Sequence, residues 1–368
     1  MRVGFFSPLP PARTGVADYS AELLRAMRAL GEIEVNSPSD ISLYHLGNNP
    51  YHSEIYRRAL DQPGVIVLHD AVLHHFFLGS LKEREYVEEF VYNYGACNEG
   101  MARDFWRHST RSAADPEFFR YPMLKRVVER SLGVIVHNPR AAAMVTAHVP
   151  GAVVYEIPHL FSLPDPLPAD FETIRLRELL GIPARVFLFG VFGYLRETKR
   201  LRSVLRAFHR VHRSTEIALL VAGEFVSKDF ARSLEPLLTL GAGVHRTGYM
   251  TEPEFWRHAG AIDACINLRY PAAGETSGIS IRLMGLGKPV LVSECPEVER
   301  FPENACLRVD PGPGEEEMLA EYMVWLARYP DDAREIGRRA ATYIRQCHAP
   351  ERVARLYWQA LSDCYHRI

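Results

Sequence analysis

The chain has 368 residues, enough for about two domains of ordinary size. Apolar residues make up 47% and charged residues 24%, a composition that excludes a disordered chain and predicts packed domains. With 43 basic and 45 acidic side chains the net charge is −2, so no overall positive field favours nucleic acid as a partner.

Cysteine spacing and the length of the apolar runs bear on the compartment. None of the six cysteines forms a Cys-x-x-Cys pair, and their spacing is not that of a zinc site. The apolar stretch at the N-terminus has the length of a strand and is too short for a signal peptide. No run approaches the roughly 20 apolar residues of a membrane span. We therefore expect a cytoplasmic protein whose membrane contact, if any, is peripheral at the inner face of the membrane.

Short apolar runs alternate with amphipathic segments of helix length, which is typical of parallel sheets covered by helices. The predicted strands of the first half are Val3–Phe6, Glu32–Val35, Ser42–Leu46, Val65–Leu68, Val134–His137 and Val153–Ile157. Those of the second half are Val186–Phe192, Ile217–Ala222, Val244–Thr247, Ala264–Asn267, Val290–Ser293 and Cys306–Val309. The sequence thus predicts an α/β protein with two doubly wound units.

A proline-rich connector, residues 159–170, interrupts this periodicity and marks a domain boundary. We expect one domain over residues 1–165, a second over 166–348, and a final helix over 349–368 that packs back on the first. Residues 82–130 are helical in pattern and interleave aromatic residues with arginines. This insertion is either a cap on the first domain, which we favour, or a surface for anionic lipid.

Two loops of the first half carry candidate functional residues, because ligands of an open parallel sheet bind outside the carboxyl ends of its strands. The segment SPLPPARTGVADYS ends in Gly15 at the start of a helix, whose amides can meet an anion or a sugar hydroxyl. A plain turn explains its prolines equally well. In LHDAVLHHFF, His69 ends a strand, and Asp70 is predicted to cap the next helix. His74 and His75 lie on that helix with spacing unlike a zinc motif, so a metal site is not favoured.

The second half begins with FGVFGYLRETKR, where a strand ends at Gly193 and three cations, Arg196, Lys199 and Arg200, precede a helix. A solvent-facing lysine near a helix N-terminus is a good diphosphate ligand, since its charge and the helix dipole add. A solvated lysine without function is the alternative. The spacing is not that of a Walker motif.

The segment RYPAAGETSGISIRLMGLGKPVLVS follows a predicted strand and is the most informative. It contains a carboxylate, Glu275, followed by Thr276, Ser277 and Gly278, whose small side chains can leave helix N-terminal amides accessible. A carboxylate accepts hydrogen bonds from sugar hydroxyls. The segment therefore suits a hydroxyl-rich, anionic ligand.

Together, in this order, SPLPPARTGVADYSAELL, LHD, FGYLRETKR and RYPAAGETSG with GKPV resemble the GT-B glycosyltransferases of family 4, particularly bacterial O-antigen and polysaccharide mannosyltransferases. The resemblance spans essentially the whole chain. It implies two Rossmann-like domains facing across a cleft and retaining transfer of a sugar, with mannose favoured, to a glycan or lipid-linked acceptor. It favours GDP-mannose as donor, with a UDP-sugar as the alternative. It implies no metal, because cations of the protein face the diphosphate.

The same resemblance implies roles for individual residues. The implied catalytic residues are His69, Lys199 and Glu275. Donor and phosphate contacts are implied for Gly15, Arg196, Lys199, Gly278 and Ile279. Candidate acceptor or ribose contacts are Asp18, Tyr19, Asp70, Tyr194 and Arg282. The sequence does not indicate an oligomeric state.

Two positions depart from the family pattern. Tyr194 stands where the family has an arginine, and Arg282 stands where it has a second glutamate that binds the ribose. The loop is also one residue short, which places Leu283 eight residues beyond Glu275. Ribose recognition must therefore differ. Two other functions stay open, a non-catalytic nucleotide- or glycan-binding protein and a nucleotide-sugar epimerase.

Overall fold

The computed structural model describes residues 1–367, apart from the side chain of Phe171, as two compact units. The first unit comprises Met1–Leu160, Pro271–Thr276 and the chain from Cys347 onward. The second comprises Phe161–Tyr270 and Ser277–Gln346. Each unit is built on its own six-stranded sheet, in which all strands are parallel.

The first sheet has the strand order β2-β1-β3-β4-β5-β6 and the second β12-β11-β10-β7-β8-β9. The strands of the first sheet are β1 (Val3–Phe6), β2 (Ile33–Val35), β3 (Ile41–Leu46), β4 (Val65–Leu68), β5 (Gly133–Val136) and β6 (Val154–Glu156). Those of the second are β7 (Phe187–Phe192), β8 (Ile217–Ala222), β9 (Val244–Thr247), β10 (Ala264–Asn267), β11 (Val290–Ser293) and β12 (Leu307–Val309). All the predicted strands are confirmed, with ends shifted by at most one residue.

The helices cover the faces of the two sheets. In chain order they are α1 (Gly15–Met27), α2 (Ser53–Asp61), α3 (His74–Ser80), α4 (Glu83–Tyr94), α5 (Glu99–Arg107), α6 (Lys125–Arg130), α7 (Pro139–His148), α8 (Asp170–Leu179), α9 (Leu201–Val211), α10 (Lys228–Leu238), α11 (Glu252–Ala261), α12 (Gly278–Gly285), α13 (Glu315–Arg328), α14 (Pro330–Cys347) and α15 (Pro350–Tyr365). Because helices lie on both faces, the central strands β3, β7 and β8 are buried at every residue. This burial explains the continuous apolar sequences of β7 and β8.

The last helix of the chain, α15, packs on α1 within the first unit. Its Tyr357 is fully buried and shares a hydrogen bond of 2.8 Å between hydroxyl groups with Tyr19 of α1. Val353 and Leu361 of α15 join Leu23 of α1 in one apolar cluster with β1 and β3. The end of the chain therefore completes the core of the first unit.

Residues 82–130 form α4, α5, α6 and short 3-10 turns. Three of their aromatic side chains point inward: Phe105, Phe118 and Tyr121 surround the buried ring of His74. The exposed arginines Arg103 and Arg107 pair with acidic neighbours on α5. This is the packing of a helical cap, while peripheral membrane contact stays a prediction. Among the helices of residues 1–367, none is both long and apolar enough to cross a membrane.

Candidate functional site

The strand order of the second sheet reverses between β7 and β10. The chain runs outward through β7, β8 and β9 and then returns to place β10 on the other side of β7. Connections that leave adjacent strands in opposite directions open a crevice at the carboxyl ends of those strands, where ligands of α/β sheets bind. The segments after β7 and β10 carry the residues predicted to hold the donor diphosphate.

Two glycines shape the carboxyl end of β7. Gly193 follows the strand with φ +89°, a left-handed conformation that suits glycine. Beside it, a Cβ added to Gly223 would lie only 2.0 Å from the carbonyl oxygen of Gly193. A Cβ on Gly193 itself would lie 3.6 Å from Ile279 Cγ1 and 3.8 Å from Lys199 Nζ. The turn after β7, the predicted phosphate lysine and the first turn of α12 therefore meet at one point.

Lys199 occupies a buried position at this point. The residue is only 6% exposed, so the expectation of a solvent-facing lysine is wrong. Its Nζ donates hydrogen bonds to the carbonyl oxygen of Phe192 at 2.7 Å and to Asn267 Oδ1 at 3.2 Å. Both acceptors are neutral and fix the direction of the ammonium group. In such a site a cation attracts an anion more strongly than it would in water, because the local dielectric is lower.

Asn267, the last residue of β10, connects Lys199 to the N-terminus of α12. Its buried Nδ2 donates to Ser277 Oγ at 2.6 Å and to Ser280 Oγ at 2.7 Å. Ser277 is the N-cap of α12, accepting from the backbone N–H of Ser280. Gly278 and Ile279 supply the first helical amides, where the helix dipole places partial positive charge. The side-chain amide of Asn267 thus holds the ammonium group of Lys199 close to the N-terminus of α12.

The two arginines near Lys199 differ in whether their charge is paired within the protein. Arg200 forms an ion pair of 2.9 Å with the buried carboxylate of Glu315. The charge of Arg200 is therefore already balanced within the fold. Arg196 is exposed, and no ion pair to it is formed within residues 1–367. Tyr194 is half-buried directly after Gly193. Arg196 is therefore the second cation of this loop that can meet an incoming anion.

Arg282 has a packing role that explains its presence on α12. Its guanidinium lies 3.8 Å from the ring centroid of Phe255 and pairs with Glu252, both on α11. Glu252 also accepts a hydrogen bond of 2.7 Å from the indole of Trp256. The candidate ribose contact of Arg282 stays a prediction, and the residue already joins α12 to α11.

The loop Pro271–Thr276 packs within the first unit, although it connects β10 to α12. The backbone N–H groups of Ala71 and Val72, which follow β4, donate to the carbonyl oxygen of Ala273 at 2.8 and 3.0 Å. Gly274 has φ +71°, and a Cβ there would lie 2.7 Å from Ala71 Cβ. The close approach of these two loops therefore requires glycine.

Asn138 fastens the same loop from the N-terminus of α7. Its Oδ1 accepts from the N–H of Ala141, as an N-cap does. Its Nδ2 donates to the carbonyl oxygen of Gly274 and to Thr276 Oγ1, both at 3.0 Å. Glu275 lies between these two anchored residues, and its Oε2 accepts from the N–H of Ala273 at 2.6 Å. The predicted catalytic carboxylate is thus positioned by the first unit.

A cluster of rings at the carboxyl ends of β3 to β6 was missed by the sequence analysis. The ring of Tyr19 is surrounded by those of His45, His69, His137 and His159, with centroids 6.2, 5.0, 5.4 and 4.5 Å away; we call these five residues the histidine cluster. Each histidine lies at or just after the end of one of four adjacent strands. That placement is the signal by which the sequence could have predicted the cluster.

Burial keeps three histidines of the cluster uncharged. It lowers the pKa of His137 to about 4 and the pKa of His45 and of His69 well below the ordinary value of 6.5. His137 is held by a hydrogen bond of 3.0 Å between Nδ1 and the carbonyl oxygen of Ile157. Burial likewise raises the pKa of Tyr19 above its ordinary range. Neutral imidazoles and phenols suit hydroxyl groups better than phosphates.

The predicted cap by Asp70 is wrong. Helix α3 begins at His74 and has Leu73 at its N-cap, while Asp70 Oδ2 accepts from the backbone N–H of Asn48 at 2.8 Å. Asn48 Oδ1 in turn accepts from the N–H of Phe76 in the first turn of α3. Asp70 thus binds the loop that contains Asn48, and the side chain of Asn48 accepts the hydrogen bond from the first turn of α3.

Gly15 and Asp18 are both exposed in the first turn of α1. Thr14 is the N-cap and accepts from the N–H of Val16. A Cβ on Gly15 would meet no atom within 4 Å. The fold itself therefore does not require glycine at position 15.

The histidines of α3 are engaged in packing. His74 contacts Tyr86 OH through Nε2 and the carbonyl oxygen of Phe118 through Nδ1. His75 Nε2 donates to the carbonyl oxygen of Ser112. In the described part of the chain, no group of three or more His, Cys, Asp or Glu side chains could hold a metal ion.

No protein-family model matches the chain, and no curated protein matches its sequence. Solved structures are similar along its length. Sucrose-phosphate synthase from Thermosynechococcus elongatus aligns over 100% of both chains with a TM-score of 0.72 at 15% identity. HepE of Anabaena, solved in complex with UDP and glucose, aligns over 99% of this chain and 100% of its own, with a TM-score of 0.68 at 14% identity.

WaaG, a glycosyltransferase involved in lipopolysaccharide biosynthesis, aligns over 96% of this chain and 98% of its own, with a TM-score of 0.59 at 14% identity. Identities this low show the fold alone. The predicted fold class is therefore confirmed: the chain is an α/β protein with two doubly wound parallel sheets and the GT-B fold.

Proposed function

We propose that this chain is a retaining glycosyltransferase, similar to those of family 4, that transfers a hexose from a nucleoside-diphosphate sugar to a glycan or lipid-linked acceptor. One observation carries the proposal. Lys199 Nζ, Gly193 and the first turn of α12 converge where the order of the second sheet reverses. A fixed cation, a close backbone approach and a helix N-terminus suit a diphosphate at such a point.

In this proposal the second unit stabilises the leaving group. As the bond between the anomeric carbon and the diphosphate oxygen breaks, negative charge grows on the diphosphate and the sugar gains oxocarbenium character. Lys199 and the amides of Gly278 and Ile279 interact more strongly with that charge as it develops, which lowers the barrier. Arg196 adds a second, exposed cation. These groups take the place of a divalent metal at the diphosphate.

The first unit is proposed to recognise hydroxyl groups. Glu275 offers a carboxylate held by the loop Pro271–Thr276, and a carboxylate accepts hydrogen bonds from sugar hydroxyls. His69 offers a neutral imidazole in the histidine cluster. We assign the acceptor side to Asp18, in the first turn of α1, and to Asp70, on the loop after β4, and a donor-phosphate contact to Gly15 at the start of α1.

For the donor we propose mannose from GDP-mannose, the donor that the sequence motifs favour. UDP-glucose is the second candidate, because HepE was solved in complex with UDP-glucose and shares this fold. A lipid-linked acceptor would bring the protein to a membrane surface. Phe105 and Phe118 of the segment 82–130 pack inward against His74 and are not available for such contact.

The proposal is tested by nucleotide binding and product release. Melting temperature is measured with GDP, UDP and ADP, since a ligand that binds only the folded state raises it. Release of nucleoside diphosphate is then measured from GDP-mannose and UDP-glucose. We expect one nucleoside diphosphate to raise the melting temperature of the protein, and the same nucleoside diphosphate to be released from its nucleotide sugar. Stabilisation without any turnover would favour a non-catalytic binding protein, and an epimerised nucleotide sugar would favour an epimerase.

A further inference from the structure

His45 and His69 face each other at the carboxyl ends of neighbouring strands. His45 lies within β3 and is fully buried. His69 follows β4, and its backbone N–H donates a hydrogen bond to the carbonyl oxygen of Leu46. Their rings are nearly parallel, with centroids 5.2 Å apart. His45 Nδ1 lies 3.0 Å from His69 Nε2. One of these two nitrogens must therefore donate a hydrogen bond to the other.

Both rings are neutral near pH 7, because burial lowers the pKa of each histidine well below its ordinary value. A neutral imidazole carries one N–H and one lone pair. The direction of the hydrogen bond consequently sets the tautomer of both rings. If His45 donates, His69 carries its proton on Nδ1; if His69 donates, His45 carries its proton on Nε2.

The surroundings of His45 Nε2 distinguish the two arrangements. This nitrogen is buried and has no hydrogen-bond partner within residues 1–367; the ring lies against Phe5 and Tyr357. A proton on Nε2 would leave a buried N–H without an acceptor, which is rare and costly in proteins. A proton on Nδ1 of His45 can instead be donated to Nε2 of His69. The arrangement in which His45 donates from Nδ1 is therefore the favourable one.

We propose that His45 donates from Nδ1 to Nε2 of His69 and thereby fixes His69 as the Nδ1–H tautomer. His45 is then a positioning residue for His69. Nδ1 of His69 has no protein partner within residues 1–367 and is not among the enclosed polar atoms. It is therefore a preformed donor, directed to an oxygen atom of a bound molecule.

This inference rests on the proposed function for the identity of that oxygen, which is a hydroxyl or ring oxygen of the sugar. It also restricts the chemistry of His69. With Nε2 engaged and Nδ1 protonated, the ring has no lone pair with which to remove a proton from the sugar. His69 would then recognise the sugar by donation and would not act as a general base.

The tautomer can be read directly from the full chain labelled with ¹⁵N-histidine. Correlation of ring carbon-bound protons with both ring nitrogens distinguishes protonated from unprotonated nitrogen, and the spectrum of the His69→Asn variant identifies the His69 signals by their loss. We expect a protonated Nδ1 and an unprotonated Nε2 for His69 in the unaltered protein near neutral pH. A protonated Nε2 on His69 would overturn the proposal, whatever the protein transfers.

Two variants of His45 separate positioning from packing. His45→Asn retains an N–H donor near the place of Nδ1, whereas His45→Phe retains a ring without a donor. We expect His69 to keep its Nδ1–H form in His45→Asn and to lose it in His45→Phe. Loss of one fixed hydrogen bond predicts a fall in kcat of about tenfold for His45→Phe. KM for the nucleotide sugar should change little, and His45→Asn should retain most of the turnover.

The outcomes are distinguishable from a failure of the proposed function. If no nucleotide sugar is used, the tautomer of His69 still decides the inference. If His45→Phe does not fold, the spectra of the unaltered protein and of His45→Asn decide it. An unchanged His69 tautomer in a folded His45→Phe variant would show that His45 does not set it, and this result would contradict the proposal.

Discussion

The two units differ in the side chains that they place at the carboxyl ends of their parallel strands. In the second unit the strand ends bring together an ammonium group and a helix N-terminus. In the first unit they bring together a phenol and four imidazoles, and burial keeps those of His45, His69 and His137 neutral. The first set favours an anion and the second favours hydroxyl groups. A shared topology thus positions a site without fixing its ligand.

The difference arises from a few residues at the strand ends. Glycines after β7 and β8 let backbone and Lys199 approach α12, whereas the ends of β3 to β6 carry the imidazole rings of the histidine cluster. If this comparison holds, substitutions in the second unit should impair diphosphate binding. Substitutions in the first unit should impair turnover at unchanged nucleotide affinity.

The largest effect is expected from Lys199→Met. Methionine fills most of the buried volume but removes the charge and the two hydrogen bonds to Phe192 and Asn267. Loss of a donor to the developing negative charge predicts a fall in kcat of about 100-fold or more. Release of nucleoside diphosphate measures the effect. The matched control is Lys228→Met at an exposed lysine of α10, and equal turnover in both folded variants would argue against the assigned role of Lys199.

Stability should depend on pH through the first unit. Burial lowers the pKa of His52, His137 and His348 from 6.5 to about 4. Between these values the unfolded chain binds more protons, so the free energy of unfolding is highest above pH 6.5 and falls as the pH drops towards 4. Each shift corresponds to at most about 3 kcal/mol.

Urea unfolding measured from neutral to acid pH tests this expectation. The His137→Asn variant removes one of the titrating groups and should flatten the dependence. A free energy of unfolding that stays constant across this range would contradict the assigned neutral state of the buried histidines.

A smaller effect on turnover is expected from Asn138→Asp. Aspartate can still cap α7, but it loses the donation from Nδ2 to Gly274 and Thr276 that holds the loop of Glu275. Loss of this fixed position predicts a fall in kcat of about tenfold. Affinity for nucleoside diphosphate, measured by titration calorimetry, should stay unchanged. A matching loss of nucleotide affinity would show that the loop serves the phosphate site instead.

The smallest effect is expected from Gly15→Ala. Since a Cβ there meets no atom within 4 Å, stability should be unchanged or higher by up to about 1 kcal/mol. Turnover should still fall severalfold if a ligand lies against this glycine. The control is Gly100→Ala, another exposed helical glycine with open space around it, which should leave turnover unchanged. Full activity of Gly15→Ala would remove Gly15 from the site.

Much of the fold could be predicted because parallel strands buried on both faces produce continuous apolar runs. The shared phosphate role of Lys199 and Gly278 came from the resemblance to family 4, and both residues follow strands of the second sheet. The burial of Lys199 could not be predicted, because its partner Asn267 is 68 residues away and carries no recognisable motif. The contacts of Gly274 with Ala71 and Asn138 are more remote still in sequence. The histidines at the ends of β3 to β6 can be found in the sequence, but the order of these four strands is needed to show that they are neighbours.

The central claim, that the second unit holds a diphosphate at the ends of β7 and β10, is tested most directly by titration calorimetry. The affinities of GDP and UDP are compared with those of the corresponding nucleosides, for the unaltered protein and for Lys199→Met. The account predicts that the preferred diphosphate loses at least about tenfold in affinity in Lys199→Met, while nucleoside affinity is unchanged. Equal diphosphate affinity in the two proteins would contradict it.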